Sequence, residues 1–371
     1  MKSYGKFAMM ALICSSNGSH FGMELVSIST REPTFGHATT PSLHLKGRPK
    51  SASLTLKSSH ISQPIAGGFK SIDDYMSRKP EITRENLMVE EFLNDGLVYQ
   101  CHFLVRSYES GPDNKMTMFF VINQLQESKL NHFISCGLVE RGLGKTGFGT
   151  THEMTKRDLI WVVHKLQVVV DQFPSWNDVV ELRTWICKHG KNSYRRNWIA
   201  RDKKSGKVLI RAICFYVLMN KRTRKLSRFC EELKEEMNPF FLDSHPILEE
   251  DNIVSQKLHF HQHYCTHASL VTRLSDLDMN QHINNASYIN FVLEGTPRAV
   301  LENYQLSGIT IKYLKECSVD QQLQSLSVPL ENDVVNGTPL IKDKDIKLHH
   351  SILSDGIELV RAKTVWTPKF N

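Results

Sequence analysis

The chain has 371 residues, enough for two domains and a leader, and 40% hydrophobic with 23% charged residues is ordinary for a globular protein. Its net charge of +7 sits mostly at one end, because residues 1–68 hold seven basic and two acidic side chains. The remainder is nearly balanced, so whole-chain nucleic-acid binding is not indicated, and no run reaches the ~20 apolar residues of a membrane span. Eight scattered cysteines without a Cys-x-x-Cys pair point to reduced thiols rather than a disulfide framework.

Residues 1–68 are rich in Ser and Thr, basic and poor in acid, the composition of an organelle transit segment or disordered leader. The rival reading is a secretory signal, with Lys2 and Lys6 ahead of the apolar run Phe7 to Cys14. A polar joining segment, 69–94, leads to an alternating strand from Gly96 to Arg106. Gly111-Pro112 breaks it, Asp113 or Asn114 can cap, and Met116, Phe119, Phe120 and Phe133 suggest a core helix. Strand patterns follow at Leu159–Val170, Asp178–Cys187 and Ser193–Arg201. A turn over Lys203–Lys207 and a returning strand, Val208–Met219, complete this half.

The second half repeats the plan after a polar, proline-bearing linker, 238–256. A strand over Lys257–Tyr264 precedes a loop and a helix beginning near Asn285, whose Ile289, Val292, Leu293, Val300 and Leu301 fall on one face. Strands then follow at Ile309–Cys317 and Leu323–Val328, and a hairpin joins Lys347–Leu353 to Ile357–Trp366 through Ser354-Asp-Gly356. The class is α+β, with domains expected at 95–237 and 257–371.

Polar groups concentrate in the second half. Asp278, Asn280 and His282 stand at alternate positions, so in an extended loop all three would face one pocket. Asn284 and Asn285 can cap the helix, and Glu316-Cys317 arrives 34 residues after His282. The equivalent stretch of the first half, Tyr108 to Asp113, has no amide–imidazole pair, so one site per chain is expected. The run His259, His261, His263, Cys265 and His267 has a metal-like spacing but also suits a solvated strand. Two basic clusters, Lys221–Lys225 with Arg228 and Arg195-Arg196, read as solvated faces or as docking sites for an acidic partner.

Asp278-Met-Asn-Gln-His-Ile-Asn-Asn285, Tyr288-Ile, Leu293-Glu294 and Tyr313-Leu-Lys-Glu-Cys317 resemble the catalytic half of plant fatty acyl-[acyl-carrier-protein] (acyl-ACP) thioesterases. Gly147-Phe-Gly-Thr, Leu159–Val163, Val168–Val180 and Arg195-Arg-Asn-Trp198 resemble the branch acting on saturated, palmitoyl-type chains. The resemblance implies tandem hot-dog domains, each a sheet wrapped around a long helix, with the second catalytic. It also implies release of free fatty acid from acyl carrier protein in the plastid stroma, without cofactor or metal, and is compatible with a homodimer.

Two assignments of the site follow from it. In one, Glu316 activates water or stabilises charge, Asn280 and His282 position substrate, and Asp278 participates as acid, base or nucleophile. In the other, Cys317 attacks, His282 is its base and Asn280 orients the imidazole. The chain departs from the usual pattern at Leu314-Lys315, where the family has two arginines, and at Asn197, where it has Asp. A weakened acyl-carrier-binding protein and an acyl-CoA thioesterase of the same fold are the alternative functions.

Overall fold

The computed structural model describes residues 90–139, 149–251, 266–330, 334–335, 338–339 and 344–369. The expected leader, most of the joining segment, the Lys257–Tyr264 strand and the side chains of the His259–His267 run lie outside these residues.

Strand periodicity translates closely into structure. The first half holds β1 (Glu90–Leu93), β2 (Val98–Leu104), α1 (Met118–Ser135), α2 (His152–Lys156), β3 (Leu159–Val170), β4 (Val179–His189), β5 (Ser193–Asp202), β6 (Val208–Asn220) and α3 (Glu231–Met237). The second holds β7 (Thr266–Val271), α4 (Ser287–Glu294), α5 (Arg298–Asn303), β8 (Tyr304–Tyr313), β9 (Gln322–Pro329), the short pair β10 (Val334–Val335) and β11 (Thr338–Pro339), β12 (Ile346–Ser354) and β13 (Ile357–Pro368). Edge strand β1 and helices α2 and α3 are too short to show a period and were not expected from the sequence.

One 11-stranded antiparallel sheet runs in the order β1-β2-β4-β5-β6-β3-β8-β13-β12-β9-β7. The halves mirror each other about the β3–β8 seam, where Leu166 opposes Ile311 and Val168 opposes Ile309. This is the tandem hot-dog, α+β arrangement. Helix α1 buries Met118, Val121, Ile122, Leu125 and Phe133, the i, i+3, i+4 spacing of one face, against the first half of the sheet. Each such side chain contributes about 1.5–3 kcal/mol through burial.

Neither Asp113 nor Asn114 caps α1. Asp113 instead accepts a turn hydrogen bond from the Lys115 amide, and Thr117 is the N-cap residue, without a side-chain bond. The pair Arg195-Arg196 is likewise no surface cluster. Arg196 is fully buried, lies 4.6 Å over the Phe133 ring and donates to His132 Nδ1 and Thr184. Burial, with Arg196 adjoining, pushes the His132 pKa down to about 2, so a neutral ring accepts that bond. Arg195 reaches the Ser244 carbonyl at 2.8 Å, and Asn197 donates to Cys187 Sγ from a fully buried position.

The second-half helix is broken where the sequence pattern suggests continuity. Helix α4 ends at Gly295, and Pro297, which has no amide hydrogen to donate, starts α5. Gly295 lies so close to β9 that an added Cβ would sit 2.2 Å from Ser325 Oγ and 3.1 Å from its carbonyl oxygen. Gly295→Ala should therefore destabilise the fold by about 1–3 kcal/mol, the cost of overpacking, with Ser325→Ala recovering part. An unchanged denaturant midpoint for Gly295→Ala would show that the crossing is looser than this.

Candidate active site

The loop between β7 and α4 is shaped by its own hydrogen bonds. A 3-10 turn over Leu274–Asp276 is closed by the Arg273 amide donating to Asp276 Oδ2 at 2.8 Å. The chain then folds back, with the Asp278 amide donating to the His282 carbonyl at 2.8 Å and Gln281 at φ 63°. Asp278 Oδ1 accepts from the amides of Asn280 and His282, and Oδ2 accepts from the Asn280 side chain at 3.2 Å. The loop is a tight turn rather than the extended segment expected, and Asp278 holds it together from inside.

Two clasps fix this turn to the fold. The Ile283 amide donates to the Cys317 carbonyl at 3.1 Å, tying the loop to the segment after β8. Asn284 Oδ1 accepts from Gln126 of α1 and from the Ala286 amide, while its Nδ2 donates to Asn123. Asn284 thus anchors the loop to the first half and closes a local turn. Asn285 does not cap α4; Ala286 is the N-cap residue, and the Asn285 carbonyl accepts from Tyr313 Oη at 2.9 Å.

Strand β8 stops at Tyr313, so Glu316 and Cys317 sit in the loop beyond it and diverge there. Glu316 is part-exposed, its Oε2 3.5 Å from His282 Nε2 and its Oε1 ion-paired with Arg224. Cys317 is 4% exposed and donates toward Gln321 Oε1 at 3.1 Å and the Ser318 carbonyl. Burial pushes its thiol pKa up to about 11, a nearby Tyr288 hydroxyl only partly opposing it. The structure therefore brings His282 and Glu316 together, keeps Asp278 and Asn280 in the adjoining turn, and turns Cys317 into the core. Arg224, read from the sequence as part of a surface cluster, is a partner that the sequence reading missed.

A narrow apolar gap of about 10 Å³ lies between α1 and the sheet, lined by Ile122, Leu125, Val163, Leu166, Trp198 and Tyr216 and reaching Asn285 of the site loop. Among the described residues no group of His, Cys, Asp and Glu is arranged to hold a metal, and no helix is long and apolar enough to cross a membrane.

The first half contains the same turn without the same groups. Gly111 donates to the Lys115 carbonyl at 2.8 Å, Asn114 has φ 63°, and Ser110 bridges Met116 as Leu277 bridges Ile283. Gly111, Asp113 and Lys115 thus stand where the second half has Asp278, Asn280 and His282.

Comparison with known proteins gives a consistent picture. Residues 96–237 match the acyl-ACP thioesterase N-terminal domain and residues 261–368 match its C-terminal domain. A chloroplastic palmitoyl-acyl carrier protein thioesterase of Gossypium hirsutum is 41% identical over 299 residues, 80% of this chain and 70% of the relative. A chloroplastic dodecanoyl-[acyl-carrier-protein] hydrolase of Cinnamomum camphora is 40% identical over 292 residues, 78% of this chain and 73% of the relative. The solved 12:0-ACP thioesterase of Umbellularia californica aligns with TM-score 0.65 at 37% identity, covering 74% of this chain and 96% of that one.

With its pKa near 11, Cys317 holds about one thiolate in a thousand at pH 8, and the fraction grows only as pH rises toward that value. Alkylation of the native protein at pH 8, mapped by peptide mass, should leave Cys317 nearly unmodified, with labelling growing tenfold per pH unit. Rapid labelling at neutral pH would contradict its burial.

Proposed function

The chain belongs to the acyl-ACP thioesterase family, and from that premise we propose how its site performs the reaction. The protein hydrolyses the thioester of fatty acyl-ACP in the plastid, releasing free fatty acid and ending chain elongation. The observation that carries the mechanistic reading is the divergence of Glu316 and Cys317: the carboxylate faces His282 at 3.5 Å, whereas the thiol is buried and protonated.

Hydrolysis needs a proton acceptor for water and donors for the oxyanion. Glu316 takes a proton from water as the water oxygen bonds the acyl carbon. The tetrahedral intermediate then collapses, the C–S bond breaks, and the proton passes to the departing carrier thiolate. His282 and the Asn280 amide hold the substrate carbonyl, with Asp278 fixing both through the turn it closes. Residues 95–237 supply the walls for the acyl chain and residues 257–371 the chemistry. The linker, 238–256, joins the two domains. The basic leader, 1–68, is the plastid transit segment. The groups named all come from one chain, and a homodimer is an arrangement that sedimentation tests.

Glu316→Gln should lower kcat on the order of 10²- to 10⁴-fold, the range for removing a general base. Cys317→Ala, with folding checked by circular dichroism, should cost far less. An active Glu316→Gln beside a dead Cys317→Ala would sink the assignment.

The exposed Lys221 and Lys225 remain available to acidic carrier protein once Arg224 is committed to Glu316. Reversing both to Glu should raise KM for acyl-ACP, more so at low salt than at high salt, and leave a carrier-free thioester nearly unaffected. Equal losses on both substrates would instead indicate damage to the fold or pocket.

A further inference from the structure

The turn after β6 ends on the site. Its backbone is fixed by the Asn220 amide donating to the Lys225 carbonyl and the Arg224 amide donating to the Asn220 carbonyl, both at 2.9 Å. Asn220 Oδ1 accepts from the amides of Arg222 and Thr223, and Arg222 pairs with Asp158 at 2.7 Å. Arg224 itself has φ 55°, a left-handed conformation that a residue with a β-carbon rarely adopts. A turn held this firmly presents its side chain in a defined direction, and the Arg224 guanidinium ion-pairs Glu316 Oε1.

We infer that Arg224, contributed by the first half of the chain, is a positioning residue for the catalytic carboxylate of the second. The inference rests on the reading of Glu316 as the group that activates water. By clamping Oε1, the guanidinium leaves Oε2 directed at His282, so the oxygen left free to take the proton is defined. Glu316 has no strand to hold it, since β8 ends three residues earlier, and both neighbouring side chains before it are exposed. Leu314 brings no charge, and without Arg224 a part-exposed carboxylate would sample several rotamers.

The left-handed backbone supplies a clean test, because glycine adopts that conformation without strain. Arg224→Gly therefore keeps the turn while removing the guanidinium, and circular dichroism verifies the fold. The expected result is a fall in kcat of about tenfold, the low end for one hydrogen bond to a charged group because the pair is part-exposed. The fall should be equal on acyl-ACP and on a carrier-free acyl thioester, with KM for the latter little changed. Guanidinium chloride at sub-denaturing concentration should restore part of kcat, sodium chloride of equal ionic strength should not, and Arg224→Lys should lie between glycine and wild type. In a Glu316→Gln background, Arg224→Gly should cost nothing further.

A kcat within twofold of wild type in Arg224→Gly overturns the inference, and so does a loss confined to KM for acyl-ACP, which makes Arg224 a docking residue. Additive losses in the double variant overturn it as well. Full activity of Glu316→Gln alone would instead remove the carboxylate mechanism, and the inference with it.

Discussion

The antiparallel seam between β3 and β8 determines where everything else in the site falls. Strands β6 and β8 both pair with β3, on opposite sides and antiparallel to it, so both run out at the end where β3 begins. Asn220 at the end of β6 lies opposite Leu159, and Lys312 near the end of β8 lies opposite Lys165. A turn leaving β6 and a loop leaving β8 are thereby delivered to the same edge of the molecule. That is how Arg224 meets Glu316 across 92 residues of sequence. The connector between the halves reinforces the seam: Asp251 bonds Thr310 of β8 and Lys363 of β13, and its amide donates to Gln167 of β3.

The duplicated turn shows how a shared backbone carries different chemistry. At Gly111–Lys115 and at Asp278–His282 the amide-to-carbonyl bond, the left-handed residue and the closing bridge recur in the same order. The side chains differ. Lys115 reaches Gln305 at 3.2 Å as a structural contact, whereas His282 points toward a carboxylate. The loop after β3 meets the first-half turn in the same way, Pro174 accepting from the Met116 amide as Cys317 accepts from Ile283, but it has Phe173 where the second half has Glu316.

Much of this architecture was legible in the residues, for physical reasons that can be named. Long strands such as β3 and β6 announce themselves through apolar β-branched runs bounded by turn residues, and the Asp278–Asn285 signature singled out the loop whose His282 lies beside Glu316. The break at Gly295–Pro297 was written in the sequence too, yet the apolar periodicity across Ile289 to Leu301 masked it. What could not be read is what depends on distant pairing or on local dihedral angles. Periodicity does not say that β6 and β8 flank β3, so the Arg224–Glu316 pair had no local signal. Alternation assumed an extended chain at Asp278, where the positive φ of Gln281 folds the chain back and turns the carboxylate onto its own amides. Arg195 and Arg196 looked like surface charges because their partners, Ser244 and His132, lie 49 and 64 residues away.

The central claim is that water, activated by a carboxylate, attacks the thioester directly and that no acyl group passes through the protein. A single-turnover reaction in water labelled with heavy oxygen, quenched rapidly and analysed by mass spectrometry of both product and protein, addresses it most directly. The account predicts one heavy oxygen in the released fatty acid and an unmodified protein mass at every time point. An acyl adduct on Cys317 during turnover, or heavy oxygen incorporated into the Asp278 or Glu316 carboxylate, would contradict it.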